Sequence, residues 1–372
     1  MKIGILTLAL GNNYGGLLQA YALQTILKAE GHHPIVLIRK SKNLKLDIMR
    51  SVRNCIFRVM NKFYVTDRDK KELSKNMIYF SNHYITPQSP IIKSSKGLRK
   101  YVLNNSLDAL VVGSDQVWRP SYSPCITNFY FDFANDIKIK KISYAASFGV
   151  DTWEYSSEDT EKCKKLIQEF NAISVRENSG IELCKNHLNS EAKLVLDPTL
   201  LLNKEDYESL ITREQEQQIN GDLFCYVLDK SPVKSQIVDN ISVELKYNPY
   251  FCMPEKIAYS EMTRSNKAEF LYPPVTRWLR SFKDAKMVVT DSFHGCVFSI
   301  IFNKPFWVIG NSNRGLSRFK SLLCLFNLEN RLIDINRISD YTWNDPIDWE
   351  NVNSIKEKLR KDSMSFIKEH LK

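Results

Sequence analysis

Short apolar runs alternate with amphipathic stretches along most of this chain, the rhythm of parallel strands joined by helices. The apolar runs predict strands over residues 3–9, 34–38, 109–112, 141–145 and 172–175, then over 194–196, 223–228, 287–290 and 306–309. Apolar residues recurring every three or four positions predict helices over 17–29, 160–170, 234–246, 275–282 and 352–371. Residues 41–105 interrupt the rhythm and read as an insertion. The Glu- and Gln-rich stretch 203–221 puts a domain junction at or just before it. The pattern therefore predicts an α/β chain of two Rossmann-like domains, residues 1–195 and 196–372, with a cleft between them for ligands.

Length agrees, since 372 residues exceed what one small core organises. No apolar run is long enough to span a bilayer, and Met1-Lys2 leads straight into a strand pattern with no cleavage-type region. Eight cysteines are scattered singly, at 55, 125, 163, 184, 225, 252, 296 and 324, with no metal-ligand spacing. Buried thiols in a reducing compartment, and so a cytoplasmic protein without a metal site, are the expectation. The net charge of +10 calls for an anionic partner. Basic residues concentrate between Arg39 and Lys75, with Ile48, Met49, Val52, Ile56, Phe57, Val59, Met60 and Phe63 interleaved at roughly helical spacing. This reads as a solvated basic face, or as peripheral docking on the anionic inner face of the cell membrane. No nucleic-acid-binding motif accompanies the charge, so nucleic acid is not an expected partner.

The most site-like segment is Lys286-Met-Val-Val-Thr-Asp-Ser-Phe-His-Gly295. A buried strand there delivers Thr290, Asp291, Ser292, His294 and Gly295 to the mouth of a parallel sheet, where open α/β sheets bind ligands. His294 can transfer protons near neutral pH. After the first strand, Gly11-Asn-Asn-Tyr-Gly-Gly-Leu-Leu-Gln19 combines a glycine turn and a helix start with Asn13, Tyr14, Gly15 and Gln19, a richer set than a plain turn needs. Strand 109–112 ends at Gly113 and exposes Ser114 and Asp115; the carboxylate can bind sugar hydroxyls or act as a base, and both residues can equally cap a turn. Arg176 closes another strand, well placed to clamp a carboxylate or phosphate, although a surface network with Glu177 is the plainer reading. Arg314 and Arg318, beside Gly315, suggest a second contact with an anion.

Taken in order, these segments resemble the polysaccharide pyruvyl transferase family. The matching pieces are Asn13 through Gln24, Val112-Gly-Ser-Asp-Gln-Val-Trp118, Ser143 through Gly149, Ser174-Val-Arg-Glu177, Leu196-Asp-Pro-Thr199, Thr290 through Gly295, and Arg314 through Phe319. The resemblance implies a GT-B-like arrangement and transfer of the enolpyruvyl carbons of phosphoenolpyruvate onto a sugar as a ketal, with phosphoenolpyruvate as co-substrate and no cofactor. The acceptor it implies is a sugar of a cell-surface polysaccharide or its polyprenyl-diphosphate-linked precursor. By position, Arg176 matches the family arginine that holds phosphoenolpyruvate and His294 the catalytic histidine. The family pattern carries an arginine two positions before that histidine, where this chain has Ser292; Arg314 or Arg318 is read as its replacement. The expected site thus comprises His294 and Asp115 for catalysis, Arg176, Ser292, Gly295, Arg314 and Arg318 for the donor, and Asn13, Tyr14, Gly15, Gln19 and Ser114 for the acceptor. A nucleotide-sugar glycosyltransferase and a non-catalytic carbohydrate-binding protein are the alternatives.

Overall fold

The computed structural model describes residues 1–41, 65–256, 258–310 and 315–372. Most of the basic stretch, residues 42–64, and Arg314 lie outside the described residues. In the first half the order is β1 (Lys2–Leu6), α1 (Tyr14–Ala29), β2 (His33–Leu37), α2 (Asp67–Leu73), α3 (Lys75–Tyr84), α4 (Ser95–Asn104), β3 (Ala109–Val112), β4 (Lys140–Ser143), α5 (Ser157–Ile167), β5 (Ser174–Val175), α6 (Asn178–Leu188) and β6 (Lys193–Leu194). The second half runs α7 (Lys204–Arg213), β7 (Leu223–Tyr226), α8 (Pro232–Leu245), β8 (Pro249–Tyr250), α9 (Val275–Asp284), β9 (Met287–Thr290), α10 (Phe293–Ile301), β10 (Phe306–Ile309), α11 (Leu316–Leu325), β11 (Leu332–Ile333) and α12 (Trp349–His370).

The strands are parallel, as runs of Ile, Val and Leu buried on both faces require. The first sheet is ordered β2-β1-β3-β4, and the β5-β6 pair adjoins β4 through bridges at Ile142–Ala172 and Ala146–Val175. The second is ordered β8-β7-β9-β10-β11. Each sheet starts in the middle, moves outward one strand, and then crosses to the other side. The order therefore reverses between β1 and β3 in one sheet and between β7 and β9 in the other, the two places where such sheets open a ligand crevice.

Several sequence expectations shift. The predicted strand 3–9 stops at Leu6, because the Thr7 hydroxyl donates to the Ser114 carbonyl and turns the chain toward β3. The polar stretch 203–221 contains α7, whose carboxylate at Asp206 accepts from the Asn203 N–H and whose Tyr207, Leu210 and Ile211 form a buried stripe. A periodicity of only three residues hid that helix. Within the expected insertion, α2, α3 and α4 pack onto the body, and α3 buries Met77 and Phe80. The last helix returns to the first half: Phe366 meets Tyr144, and the Ser363 hydroxyl accepts from the Leu196 N–H at 3.0 Å. No helix among the described residues is long and apolar enough to cross a membrane.

Candidate active site

Both crevices open on one cavity of about 280 Å³. From the first half, Asn12, Asn13 and Tyr14 reach it at the end of β1, and Asp115, Gln116 and Tyr122 beyond β3. From the second half come Tyr226, Tyr272, Asp291, Ser292, Phe293, His294 and Arg318. Tyr14 ties the halves together, stacking on Trp278 with centroids 5.3 Å apart and donating its hydroxyl proton to the Pro273 carbonyl.

His294 lies in the first turn of α10 and is buried. Its Nε2 is 3.6 Å from Asp197 Oδ2, just beyond a hydrogen bond and near enough for a protonated ring to be attracted to the carboxylate. Gly15 makes room for the ring: a Cβ at that position would overlap the imidazole at Nδ1. Asp197 gathers the groups behind the cavity wall. Its Oδ2 accepts from Arg176 Nη1 at 2.8 Å and from the Ser114 hydroxyl at 2.8 Å, and its Oδ1 accepts from the Thr199 N–H and hydroxyl. Burial alone would raise this carboxyl's pKa, but His294, Arg176 and Thr199 outweigh it and hold the group well below the usual carboxylate range. Asp197 stays ionised, so it can stabilise a positive charge on His294.

Arg176 is buried at the end of β5, its guanidinium 4.5 Å from the Phe293 ring centroid. Its Nη2 lies 3.8 Å from Asp115 and its Nε 3.7 Å from Glu177; neither nitrogen has a hydrogen-bond partner among the described residues. Arg318 approaches the same ring from α11, at 5.8 Å. Burial and then repulsion from Arg176 lower the Arg318 pKa to about 10, which leaves it charged at neutral pH. That helix is seated by the Asn178 N–H, which donates to the Ser321 hydroxyl across the two halves. The Glu177 carboxylate meanwhile accepts from the N–H groups of Phe148 and, more weakly, Gly149, which spreads its charge over the backbone.

Asp115 lines the cavity with φ of +80°, a left-handed conformation uncommon outside glycine. Ser292 also lines it, while its hydroxyl caps α10 by accepting from the Gly295 N–H. Asn13 lines it and caps α1 in the same way. Five residues expected at the site stand behind the wall instead, Arg176 among them, covered by the Phe293 ring. Gln19 is buried and its amide donates to Thr7 and the Gly16 carbonyl. Ser114 is buried against Asp197, Gly15 underlies the imidazole, and Gly295 packs on Thr290. In each case a residue near the site by sequence supports the site's framework through its packing or hydrogen bonding. Asp197 and Phe293 sit within recognisable motifs that assign them no role, while Tyr122, Tyr226 and Tyr272 carry no motif signal. Asp291 proves to be a loop anchor: it accepts from the N–H groups of Leu228 and Asp229 and pairs with Lys234 at 2.5 Å.

Two parallel sheets of one strand order, sharing a cavity at their carboxyl ends, define a two-domain protein of the GT-B type. The UDP-GlcNAc 2-epimerase from Neisseria meningitidis, bound to UDP-GlcNAc, superposes with a TM-score of 0.55 at 12% identity, covering 100% of this chain and 99% of that one. The UDP-GlcNAc 2-epimerase from Methanocaldococcus jannaschii gives 0.52 at 13% identity, covering 98% and 99%. A glycotransferase of kitacinnamycin gives 0.50 at 11%, covering 100% and 99%. At such identities the likeness concerns the fold. No curated protein matches the sequence. The family model described as Polysaccharide pyruvyl transferase matches residues 13–313, and the chain belongs to that family of transferases.

Proposed function

We propose that the protein moves the enolpyruvyl group of phosphoenolpyruvate onto two hydroxyls of a polysaccharide sugar, forming a pyruvate ketal. The observation that supports this most is the convergence of Arg176 and Arg318 on Phe293, beside a buried histidine paired with an ionised Asp197. Two buried guanidiniums suit a donor that carries both a carboxylate and a phosphate, and Arg176, behind the Phe293 ring, has its Nε and Nη2 without hydrogen-bond partners among the described residues. In this reading His294, protonated and stabilised by Asp197, gives a proton to the donor's methylene carbon. A sugar hydroxyl adds to the cationic carbon and loses its proton to Asp115. Phosphate then leaves with its bonding electron pair, and the second hydroxyl closes the ketal. Of the two hydroxyl protons, one replaces that spent on the methyl group and one departs with phosphate. Tyr122, Tyr226 and Tyr272 supply ring faces for the acceptor. The basic stretch 39–75 supports docking at an anionic membrane face, checked by salt-sensitive binding to acidic vesicles.

The test is the melting temperature with phosphoenolpyruvate and, separately, with nucleotide sugars. Phosphoenolpyruvate should raise it, and Arg176→Lys, which lacks the planar fork, should shrink that rise at least tenfold in apparent affinity. A rise with nucleotide sugar alone would favour a glycosyltransferase. A rise with neither, together with glycan binding, would favour a carbohydrate-binding role without catalysis.

A further inference from the structure

Beyond β3, the chain from Gln116 to Tyr122 turns twice: the Arg119 N–H donates to the Gln116 carbonyl, and the Tyr122 N–H to the Arg119 carbonyl. Trp118, fully buried and stacked on Tyr130, anchors this segment. Gln116 and Tyr122 line the reaction cavity; Arg119 does not line it but touches both. Its guanidinium is clamped by Glu154 through two hydrogen bonds of 3.0 Å and lies 4.9 Å from the Tyr122 ring centroid. Its Nη1 reaches Gln116 Oε1 at 3.3 Å and the Tyr122 hydroxyl oxygen at 3.5 Å. A guanidinium carries donors only, so the atoms that face it act as acceptors. The Gln116 amide therefore turns its oxygen to Arg119 and keeps its N–H bonds for other partners, and the Tyr122 hydroxyl keeps its proton to donate. Gly149 bounds the amide on another side, since a Cβ there would lie 2.0 Å from Gln116 Oε1.

We propose that Gln116 and Tyr122 bind the donor's phosphate as hydrogen-bond donors, and that Arg119 is the residue that positions them. The assignment rests on reading the cavity as a phosphoenolpyruvate site. Among the described residues, Arg318 is the one lysine or arginine that lines the cavity, and the carboxylates of Asp115 and Asp291 line it too. A phosphate group with about two negative charges therefore needs further donors beside that guanidinium. Neutral N–H and O–H groups meet this need without adding a cation that Arg318 would repel. Tyr122 is near enough to Arg318 to bear on its titration, which puts both on one side of the cavity. Tyr122 is also half exposed, so a phosphate held there departs toward solvent and away from the buried His294. Neither side chain exchanges a proton with the phosphate; each contributes a hydrogen bond.

The test is calorimetric titration of the full chain with phosphoenolpyruvate and, separately, with inorganic phosphate. Gln116→Glu keeps an oxygen toward Arg119 and replaces the amide donors with a second oxygen. It should weaken both ligands about tenfold or more while the melting temperature holds. Tyr122→Phe keeps the ring and should weaken both by a smaller factor. Arg119→Ala should weaken both ligands in wild type but add little to the double variant Gln116→Ala, Tyr122→Phe, because its effect passes through those two side chains. Wild-type affinity for both ligands in Gln116→Glu, or an Arg119→Ala effect that is undiminished in the double variant, would overturn the proposal. If wild type binds inorganic phosphate but not phosphoenolpyruvate, and Gln116→Glu weakens the phosphate, the wall is supported and the donor reading alone fails. Binding of neither ligand by wild type would overturn both.

Discussion

Asp197 connects more of the site than any single motif suggests, since Arg176, Ser114, Thr199 and His294 all meet it. Removing its charge leaves a buried arginine without its closest partner, a loss worth about 3–5 kcal/mol for a broken buried pair. Asp197→Asn should therefore lower unfolding free energy by about 3 kcal/mol at pH 7, as measured by denaturant titration. The pH dependence has a definite sign. The folded-state pKa is depressed, so the contribution is complete above the unfolded value of about 3.9 and fades as pH falls below it. The gap between wild type and Asp197→Asn should narrow as pH falls below about 4, and a gap that fails to narrow there would contradict an ionised Asp197. For His294, replacement by Ala should cut turnover about 100-fold or more while the protein stays folded; near-normal turnover would remove it from the proton steps. His294 was legible in sequence because an apolar run opens directly into it. Asp197 was not, because its partners lie 21, 83 and 97 positions away and only folding brings them together.

At the level of elements, the turn from β1 into α1 carries a position with no room for a side chain. Alanine favours helices more than glycine does, so Gly15→Ala by itself would stabilise α1. Its methyl group, however, would occupy the space of the His294 ring. Gly15→Ala should therefore reduce turnover at least tenfold with melting temperature nearly unchanged, a split that thermal melts and turnover on the same sample can check. The glycine turn was visible in the sequence as a candidate for approach to a ligand, and the group approaching it is a side chain from the other half of the protein. The long elements were legible as well: α1, α9 and α12 follow apolar periodicity over two turns or more. The two-residue strands β8 and β11 were not, for a pair of residues carries no periodicity and is held as a strand only by the sheet beside it.

For the whole molecule, the working unit is the pair of facing crevices, and each half supplies part of the cavity. The halves also touch where Gly315, with φ of +82°, approaches the carbonyl of Gly149 too closely for any Cβ. Gly315→Ala would strain a left-handed backbone and push α11, with Arg318, away from Arg176. The expected result is at least tenfold weaker phosphoenolpyruvate binding by calorimetry, with secondary structure retained; unaltered binding would mean that the contact does not set the distance between the arginines. The strand rhythm of the sequence implied two similar sheets with a ligand cleft between them, but not which side chains of the two halves meet in it. The most direct test of the proposed reaction is mass spectrometry of a lipid-linked glycan incubated with the protein and phosphoenolpyruvate. The glycan should gain a pyruvate ketal in step with release of inorganic phosphate, and His294→Ala should abolish both. A glycan that gains nothing from phosphoenolpyruvate but gains a sugar from a nucleotide sugar would contradict it.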